Sequence, residues 1–370
     1  MIKPNALKKG DLVGVIAPSD AVEEEDVLKG IAVLDEWGLK VKVGRHVYAR
    51  IGDFSAGTAE ERMEDIREMV FNDEVKVVWA AGGGYAATEI LPALSREVIA
   101  KIKANPKWFI GYSDVCLILN ALTSFRIVSL MGPNLGGLAE WDRKSQEYLR
   151  QILFGEGVSG IGPEAGWKGE LLGEARGRIV ASNLETLILS FGTRFDPLLY
   201  GHGNVILFLE ELETDKSQLQ RHLDVVLGHR RARRISGVVM GRLTDIREVS
   251  YPEWGRKVTP EGLVIDRVKR FGVPLAFLPD FGHSDWNYGW WQSLKYFLGN
   301  RRFYSLPNGV DAKFTVTTKN CAVEFLETPH FVPPVEVKSE YGSTDQRSVG
   351  GEQLRKSDAE SRDGGQEGGN

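Results

Sequence analysis

The sequence predicts an α/β protein of two domains, and three observations support this prediction. The chain has 370 residues, which at about 100–200 residues per domain indicates two domains. Short apolar segments alternate with amphipathic helical patterns through the first 150 residues, as in a mostly parallel sheet. After residue 150 a segment rich in Gly and Pro interrupts the alternation, which then resumes less regularly. We therefore expect two successive α/β units.

The first unit contains four apolar segments that we predict to be strands. Each is short, and a helical pattern or a turn follows it, as expected for buried parallel strands. This alternation is typical of a Rossmann-like or flavodoxin-like sheet, in which sites lie past the carboxyl ends of the strands. The predicted strands are residues 12–17, 40–43, 75–80 and 108–111, and the predicted helices are residues 23–37, 59–71 and 115–122.

The expected boundaries follow from composition. We predict an N-terminal domain at residues 1–150, a linker at 151–173 and a C-terminal domain at 174–335 with a barrel-like sheet. Residues 336–370 carry almost no large apolar side chains, so they are expected to form a disordered tail without a catalytic role. In the C-terminal domain we predict helices at 183–191, 217–227 and 258–271, and strands at 205–209, 237–241, 275–278 and 312–317.

Composition also excludes several classes of function. The formal net charge of −5 argues against a nucleic-acid partner, and the basic segment 230–234 is expected to be a solvated helix end or loop. Two distant cysteines, Cys116 and Cys321, do not make a disulfide framework and fit a reducing compartment. No apolar segment approaches the length of a membrane span, and no signal segment precedes the first strand. We expect a cytoplasmic protein without a membrane partner.

Ser113 is the candidate nucleophile. It follows an apolar strand and Gly111, and an apolar helical segment begins after it, which is the strand-turn-helix setting that exposes a serine hydroxyl. The pattern G-x-S-x-G is only half met, because Val115 stands in place of the second glycine. The alternative is that Ser113 and Asp114 simply cap the following helix.

Candidates for the base and the acid come from strand ends. His283 is one of six histidines and follows Gly282 after an apolar strand, although a loop histidine is more often a surface residue. Glu210 and Glu211 both end the strand 205–209, and the pattern alone does not choose between them. The chain has no His-x-x-x-His, no His-Glu-x-x-His and no cysteine pair, so we expect neither a metal nor another cofactor.

The glycine loop, Gly82-Gly83-Gly84-Tyr85, allows two interpretations. Bare backbone N–H groups at a strand end suit an oxyanion hole, which fits a nearby nucleophile. The same loop in a non-catalytic protein would hold an anionic ligand, but it lacks the G-x-G-x-x-G spacing of dinucleotide loops. A non-catalytic α/β ligand-binding protein therefore stays an alternative of another class.

Seven stretches of the chain form an ordered set: GDLVGVIAPS (10–19), SAGT (55–58), EER (60–62), GGY (83–85), GYSD (111–114), LFLE (207–210) and GH (282–283). Taken together, they resemble the LD-carboxypeptidase family of serine peptidases, which includes muropeptide LD-carboxypeptidases and microcin C self-immunity peptidases. The resemblance covers about residues 5–330. It implies a triad of Ser113, Glu210 and His283, a homodimer, and no metal. It also implies an oxyanion hole made by backbone N–H groups of Gly83, Gly84 and Asp114.

Three departures from the family pattern concern the substrate rather than the triad. Gly82 replaces an Arg, Met131 replaces a His, and tryptophans including Trp286 follow the Gly-His pair. These tryptophans form either an aromatic wall of the substrate pocket or ordinary core. We predict hydrolysis of LD-peptides, with a microcin C immunity-like amidase acting on aminoacyl-nucleotide compounds as the alternative. The candidate substrate-binding residues are Tyr85, Arg221 and Trp286, with Arg242 as the alternative cation for a terminal carboxylate.

Overall fold

The computed structural model describes residues 1–201, 203–249, 257–284 and 301–333. The described part of Met1–Val332 forms one compact unit. The strands are β1 (Leu12–Ile16), β2 (Lys40–Val43), β3 (Val75–Ala80), β4 (Trp108–Gly111), β5 (Ser129–Met131), β6 (Gly160–Ile161), β7 (Lys168–Leu171), β8 (Gly173–Asn183), β9 (Val205–Leu212), β10 (Ile235–Thr244), β11 (Leu275–Phe277), β12 (Leu306–Asn308), β13 (Asp311–Val316) and β14 (Cys321–Phe325). The helices are α1 (Glu24–Glu36), α2 (Ala59–Phe71), α3 (Arg96–Ala104), α4 (Cys116–Ser124), α5 (Arg143–Phe154), α6 (Leu184–Leu189), α7 (Pro197–Tyr200), α8 (Lys216–Leu227) and α9 (Pro260–Phe271).

The first sheet has six strands in the order β12-β5-β4-β3-β1-β2. Every neighbouring pair is parallel except β12, which runs antiparallel to β5. Its central strands are almost entirely apolar and buried: β4 is fully buried, and β3 is buried at all positions but Lys76. Parallel strands need apolar side chains on both faces, because helices cover both faces of the sheet. The carboxyl ends of β1, β3 and β4 therefore meet at one edge, where the loops that follow them lie side by side.

Short local signals fix where the helices begin. Thr58 and Glu61 form a reciprocal capping box at the start of α2, and Asp215 and Gln218 form one at the start of α8. In each box a side chain satisfies a helix N–H group that has no partner inside the helix. These helix starts agree with those predicted from the sequence to within one residue.

The second sheet has eight strands in the order β6-β14-β13-β8-β9-β10-β11-β7. Strands β8 to β11 are parallel to one another, and the outer strands are antiparallel to their neighbours. The sheet curls, so that its terminal strand β7 approaches β14 near the other end of the strand order. A Cβ at Gly169 of β7 would lie only 2.9 Å from the Cys321 Sγ of β14. The helices α8 and α9 pack together on the parallel part of this sheet.

The predicted α/β class is confirmed, with a mostly parallel first sheet and a second, curled sheet. Predicted strands and observed strands agree closely at β2, β3 and β4. Several elements were not predicted, including β5, β8, β14, α3, α5 and α7, and two of the omissions concern the topology of the sheets. Strand β12 returns from late in the chain to join the first sheet, and the predicted linker 151–173 contributes β6 and β7 to the second sheet. The predicted domain boundaries stay predictions, and the predicted tail lies outside the described residues.

The described residues also bear on the composition arguments. Cys116 and Cys321 are both unpaired, buried thiols. Within the described ranges, no helix has the length and apolar character needed to cross a bilayer.

Candidate active site

Ser113 occupies a strained turn between β4 and α4. Its φ is +64°, a left-handed conformation that is uncommon for a residue other than glycine. It begins a short 3₁₀ turn, Ser113–Val115, that leads directly into α4. Strained backbone of this kind is often stored at functional sites, and a sharp strand-to-helix turn exposes a serine hydroxyl.

The glycine loop after β3 lies against this turn. A Cβ added at Gly83 would stand 2.8 Å from the Ser113 Cβ and 3.1 Å from its Oγ, so only glycine permits this approach. The backbone N–H groups of Gly83, Gly84 and Asp114 donate to no protein group among the described residues. The three predicted oxyanion donors are therefore available to a ligand.

Glu210 and His283 form a buried pair on the second sheet. The His283 Nδ1 lies 2.7 Å from the Glu210 Oε2, and the His283 backbone N–H donates to the same oxygen at 3.2 Å. The Glu210 side chain is fully buried and that of His283 is 10% exposed. Gly282 permits this contact: its φ is +97°, and a Cβ there would lie 2.5 Å from the Glu210 Cβ. The pair leaves Nε2 of the imidazole as the ring nitrogen that can accept a proton.

The neighbouring Glu211 points to the opposite side of β9. Successive strand side chains alternate between faces, so Glu211 faces away from His283 and its Oε2 lies 2.9 Å from the Nδ1 of His222 on α8. Burial raises the pKa of Glu211, although the hydrogen bond with His222 lowers it. That same hydrogen bond raises the pKa of His222. The sequence left open which of the two adjacent carboxylates is the acid. In the structure they differ in their histidine partner, since Glu210 binds His283 and Glu211 binds His222.

The loop that carries His283 is held by two residues of β10. The Thr244 hydroxyl donates to the His283 carbonyl at 2.7 Å. Arg242 donates to the Gly282 carbonyl at 3.0 Å and to the Asp280 Oδ1 at 3.3 Å. Its guanidinium is therefore occupied within the protein, which argues against its alternative role as the cation for a substrate carboxylate.

Tyr112 connects the two halves of the site. Its ring packs on the imidazole of His283 with ring centroids 4.7 Å apart, and it precedes Ser113 in the chain. Burial raises the pKa of Tyr112, so its hydroxyl stays neutral beside the base. In the described residues the Ser113 hydroxyl and the His283 ring are not hydrogen-bonded to each other. Catalytic hydrogen bonds often tighten only when substrate is bound.

Asn134 is a residue of this site that the sequence analysis missed. Its Oδ1 accepts the backbone N–H of Tyr112 at 3.1 Å, and its Nδ2 would lie 3.3 Å from a Cβ at Gly83. The side chain is nearly buried. The available signal was its position in the loop directly after the carboxyl end of β5.

Two of the three predicted substrate-binding residues, Tyr85 and Arg221, lie among the described residues. Tyr85 is 68% exposed, and its hydroxyl lies 3.4 Å from the Glu213 Oε2 after β9. Arg221 lies exposed on α8 and donates to the Ser217 Oγ at 3.2 Å. Trp286 lies outside the described residues. Within the described ranges, no group of three or more metal-ligating side chains lies together.

Family models identify the chain. The N-terminal domain of the LD-carboxypeptidase family matches residues 13–132, and its C-terminal domain matches residues 176–292. The chain belongs to the LD-carboxypeptidase family. The resemblance found in the sequence is thereby confirmed, and the chain is a peptidase of this family.

Relatives of this LD-carboxypeptidase family member carry matching names. The "Probable murein peptide carboxypeptidase" of Bacillus subtilis is 34% identical over 227 residues, which are 60% of this chain and 69% of that protein. The "Murein tetrapeptide carboxypeptidase" of Pseudomonas aeruginosa is 27% identical over 287 residues, which are 75% of this chain and 90% of that protein.

Solved structures share the LD-carboxypeptidase fold. An MccF-like protein from Bacillus anthracis has a TM-score of 0.71 at 23% identity, covering 87% of this chain and 98% of that one. The microcin C7 self-immunity protein MccF in complex with aspartyl sulfamoyl adenosine has a TM-score of 0.72 at 20% identity, covering 90% of this chain and all of that one.

Proposed function

We propose that this chain is a serine-type LD-carboxypeptidase whose nucleophile, base and acid are Ser113, His283 and Glu210. One observation carries this proposal above the others. A fully buried Glu210 binds the Nδ1 of His283, while Tyr112 packs on the same ring and leads directly into the strained turn of Ser113. A carboxylate, an imidazole and a hydroxyl in this order are the elements of a nucleophilic triad.

In the proposed acylation step, the neutral His283 accepts the hydroxyl proton of Ser113 on Nε2 as Oγ bonds to the scissile carbonyl carbon. Glu210 accepts the Nδ1–H hydrogen bond, which holds the ring and stabilises the imidazolium. The C–N bond then breaks, and His283 returns the proton to the departing amine. The acyl group stays on Ser113 as an ester.

In the proposed deacylation step, water attacks this ester and gives its proton to His283, and the proton returns to Ser113 as the acid product leaves. The free N–H groups of Gly83, Gly84 and Asp114 would bind the oxyanion in both steps. Each such donor is typically worth about 2.7–4 kcal/mol in the transition state.

The substrate class we propose is an LD-peptide of the muropeptide type. The family and the names of the Bacillus and Pseudomonas relatives support it. The second candidate is an aminoacyl-nucleotide amide, and the aspartyl sulfamoyl adenosine in complex with the fold neighbour MccF favours testing it. Hydrolysis of a tetrapeptide with a terminal D-residue, measured beside hydrolysis of an aminoacyl sulfamoyl adenosine, distinguishes the two. Arg221 stays our candidate for the substrate carboxylate.

Labelling with a fluorophosphonate probe tests the serine mechanism. The wild-type protein should be labelled, and Ser113→Ala and His283→Ala should not be. Ser95→Ala is the matched control, because Ser95 is an N-cap of α3 away from the site and its loss should leave labelling intact. Full hydrolysis by Ser113→Ala would refute the proposal, and ligand binding without labelling or hydrolysis would favour the non-catalytic alternative.

We also propose that the active site is shared between an N-terminal domain, which carries Ser113, and a C-terminal domain, which carries Glu210 and His283. The first sheet supplies the serine and the glycine loop, and the second supplies the other two side chains, which supports this division. A cytoplasmic homodimer is the expected state of the protein. Sedimentation of the purified chain tests whether it forms a homodimer.

A further inference from the structure

The glycine loop is held along one half and free along the other. The N–H groups of Tyr85, Ala86 and Ala87 donate in turn to the Asp20 Oδ1 at 2.9 Å, the Ser19 Oγ at 3.2 Å and the Asp114 Oδ2 at 2.7 Å. The three preceding N–H groups, at residues 82–84, donate to no protein group among the described residues. Three consecutive side-chain contacts therefore begin directly where the predicted oxyanion donors end.

One carboxylate oxygen joins three segments of the site. The Ser19 Oγ donates to the Asp114 Oδ2 at 2.5 Å, and the same oxygen accepts the N–H of Ala87. Ser19 lies in the loop after β1, and Asp114 is the residue after the nucleophile. Ser19 is fully buried and Asp114 is 6% exposed. The Asp114 side chain thus ties the loop after β1 and the glycine loop to the turn of Ser113.

A buried guanidinium holds the same two loops from the side of α2. Arg62 is 1% exposed, and its Nη1 donates to the Pro18 carbonyl at 3.2 Å and to the Ala86 carbonyl at 2.7 Å. Its Nη2 pairs with Glu89. Burying a charged group is costly unless hydrogen bonds compensate it, so a guanidinium spent on two loop carbonyls indicates that their geometry matters.

We propose that Ser19, Arg62 and the side chain of Asp114 are positioning residues that set the oxyanion donors of the glycine loop against the Ser113 hydroxyl. This inference rests on the proposed function. The space between the two parts is narrow, because a single added carbon at Gly83 would already collide with Ser113. A misplacement of about 1 Å in such a site can cost about 10²-fold in rate. None of the three side chains needs to touch the substrate for this effect.

Electrostatics is consistent with this role for Asp114. Burial raises the pKa of its carboxyl, and the hydrogen bonds from Ser19 and from the Ala87 N–H lower it. The Ser19 hydroxyl and the Ala87 N–H thus offset part of the cost of burying the charged form of Asp114. Removing the Ser19 hydroxyl, or replacing a carboxylate oxygen of Asp114 by an amide nitrogen, would weaken the same contact between the loop after β1, the glycine loop and the turn of Ser113.

The test uses Ser19→Ala and Asp114→Asn in the full chain. Asp65→Asn is the matched control, because Asp65 is also a buried aspartate of the N-terminal half, 2% exposed, hydrogen-bonded to His46 and raised in pKa by burial. We expect both site variants to lower kcat on the D-terminal tetrapeptide by about 10–10²-fold, with little change in KM. The rate of fluorophosphonate labelling, which forms a tetrahedral adduct at the serine, should fall by a similar factor.

The double variant Ser19→Ala/Asp114→Asn should lose little more than the worse single variant, since both act through one oxygen. Unchanged kcat in both single variants, with a loss of thermal stability like that of Asp65→Asn, would mean that the contacts only stabilise the fold, and the inference would be wrong. If Asp114→Asn does not fold, Ser19→Ala alone decides by the same kcat and labelling readouts. A wild-type protein that is neither labelled nor active would instead overturn the proposed function itself.

Discussion

Two adjacent carboxylates on β9 differ in what they hold, and the same substitution at each should have opposite effects. Glu210 and Glu211 are 0% and 1% exposed, and each binds a histidine Nδ1, at 2.7 Å and 2.9 Å. Glu210→Gln and Glu211→Gln both replace a buried carboxylate by an amide of the same shape. Strand, burial and partner type are therefore matched, whereas the histidine and the pairing of the second carboxylate oxygen differ.

The expected loss of activity is confined to Glu210→Gln. An amide cannot stabilise the imidazolium of His283 and favours the wrong tautomer, so kcat should fall about 10³–10⁴-fold. This corresponds to about 4–5.5 kcal/mol of transition-state stabilisation. In Glu211→Gln, kcat should stay within about threefold of wild type, because the altered side chain faces His222 and α8.

The expected change in stability runs the other way. Across the described residues the Glu210 Oε1 has no hydrogen-bond partner, so neutralising this carboxylate removes the cost of burying a half-satisfied charge. The free energy of unfolding of Glu210→Gln should stay within about 1 kcal/mol of wild type. Both oxygens of Glu211 are paired, Oε1 with Asn183 and the Leu212 N–H and Oε2 with His222. Glu211→Gln should therefore lose about 1–3 kcal/mol.

The assay combines steady-state hydrolysis of the tetrapeptide with urea unfolding of the same three proteins. An inactive but stable Glu210→Gln beside an active but weakened Glu211→Gln is the predicted result. An inactive Glu211→Gln of normal stability, with Glu210→Gln active, would refute the assignment of the acid and the argument from strand alternation.

Other predictions concern the glycine loop, the loop of the base and the second histidine. Gly83→Ala should reduce kcat at least about 10²-fold by displacing the nucleophile turn, whereas Gly137→Ala, whose Cβ would meet nothing nearer than 4.0 Å, should leave kcat unchanged. Arg242→Lys should lower kcat about tenfold or more, because one ammonium cannot replace a guanidinium that holds Gly282 and Asp280 of the His283 loop as well as the Arg302 carbonyl; an unchanged rate would show that the loop does not need this contact. The pKa of His222 is raised in the folded protein, so the charged imidazole stabilises the fold at pH values below its usual pKa of 6.5. This contribution to the free energy of unfolding is lost as the pH rises through the raised pKa. The excess stability of wild type over His222→Gln should thus be largest below the usual pKa of 6.5 and shrink as the pH rises above it, and a constant difference in urea midpoints across this range would contradict this.

Much of the fold could be predicted because its signals are local. The apolar segments at β3 and β4 and the helical pattern of α2 each depend on neighbouring residues, so they were visible in the chain. Strand β12 was not predicted, because it has only three residues and joins the sheet through a partner nearly 180 residues away. Strands β6 and β7 of the predicted linker were not predicted for the same reason, because each is short and pairs with a strand far away in the chain.

The candidate site divides in the same way. The strand-end loops that carry Ser113 and His283, and the glycine loop, were predictable from the chain alone, because a residue type and its neighbours suffice to mark such a turn. The tertiary structure favours Glu210 over Glu211 as the proposed acid, since the two are neighbours in β9 and alternation directs them to different histidines. It alone revealed Asn134 and the contacts of Ser19, Arg62 and Asp114, because hydrogen bonds between loops far apart in the chain leave no local pattern.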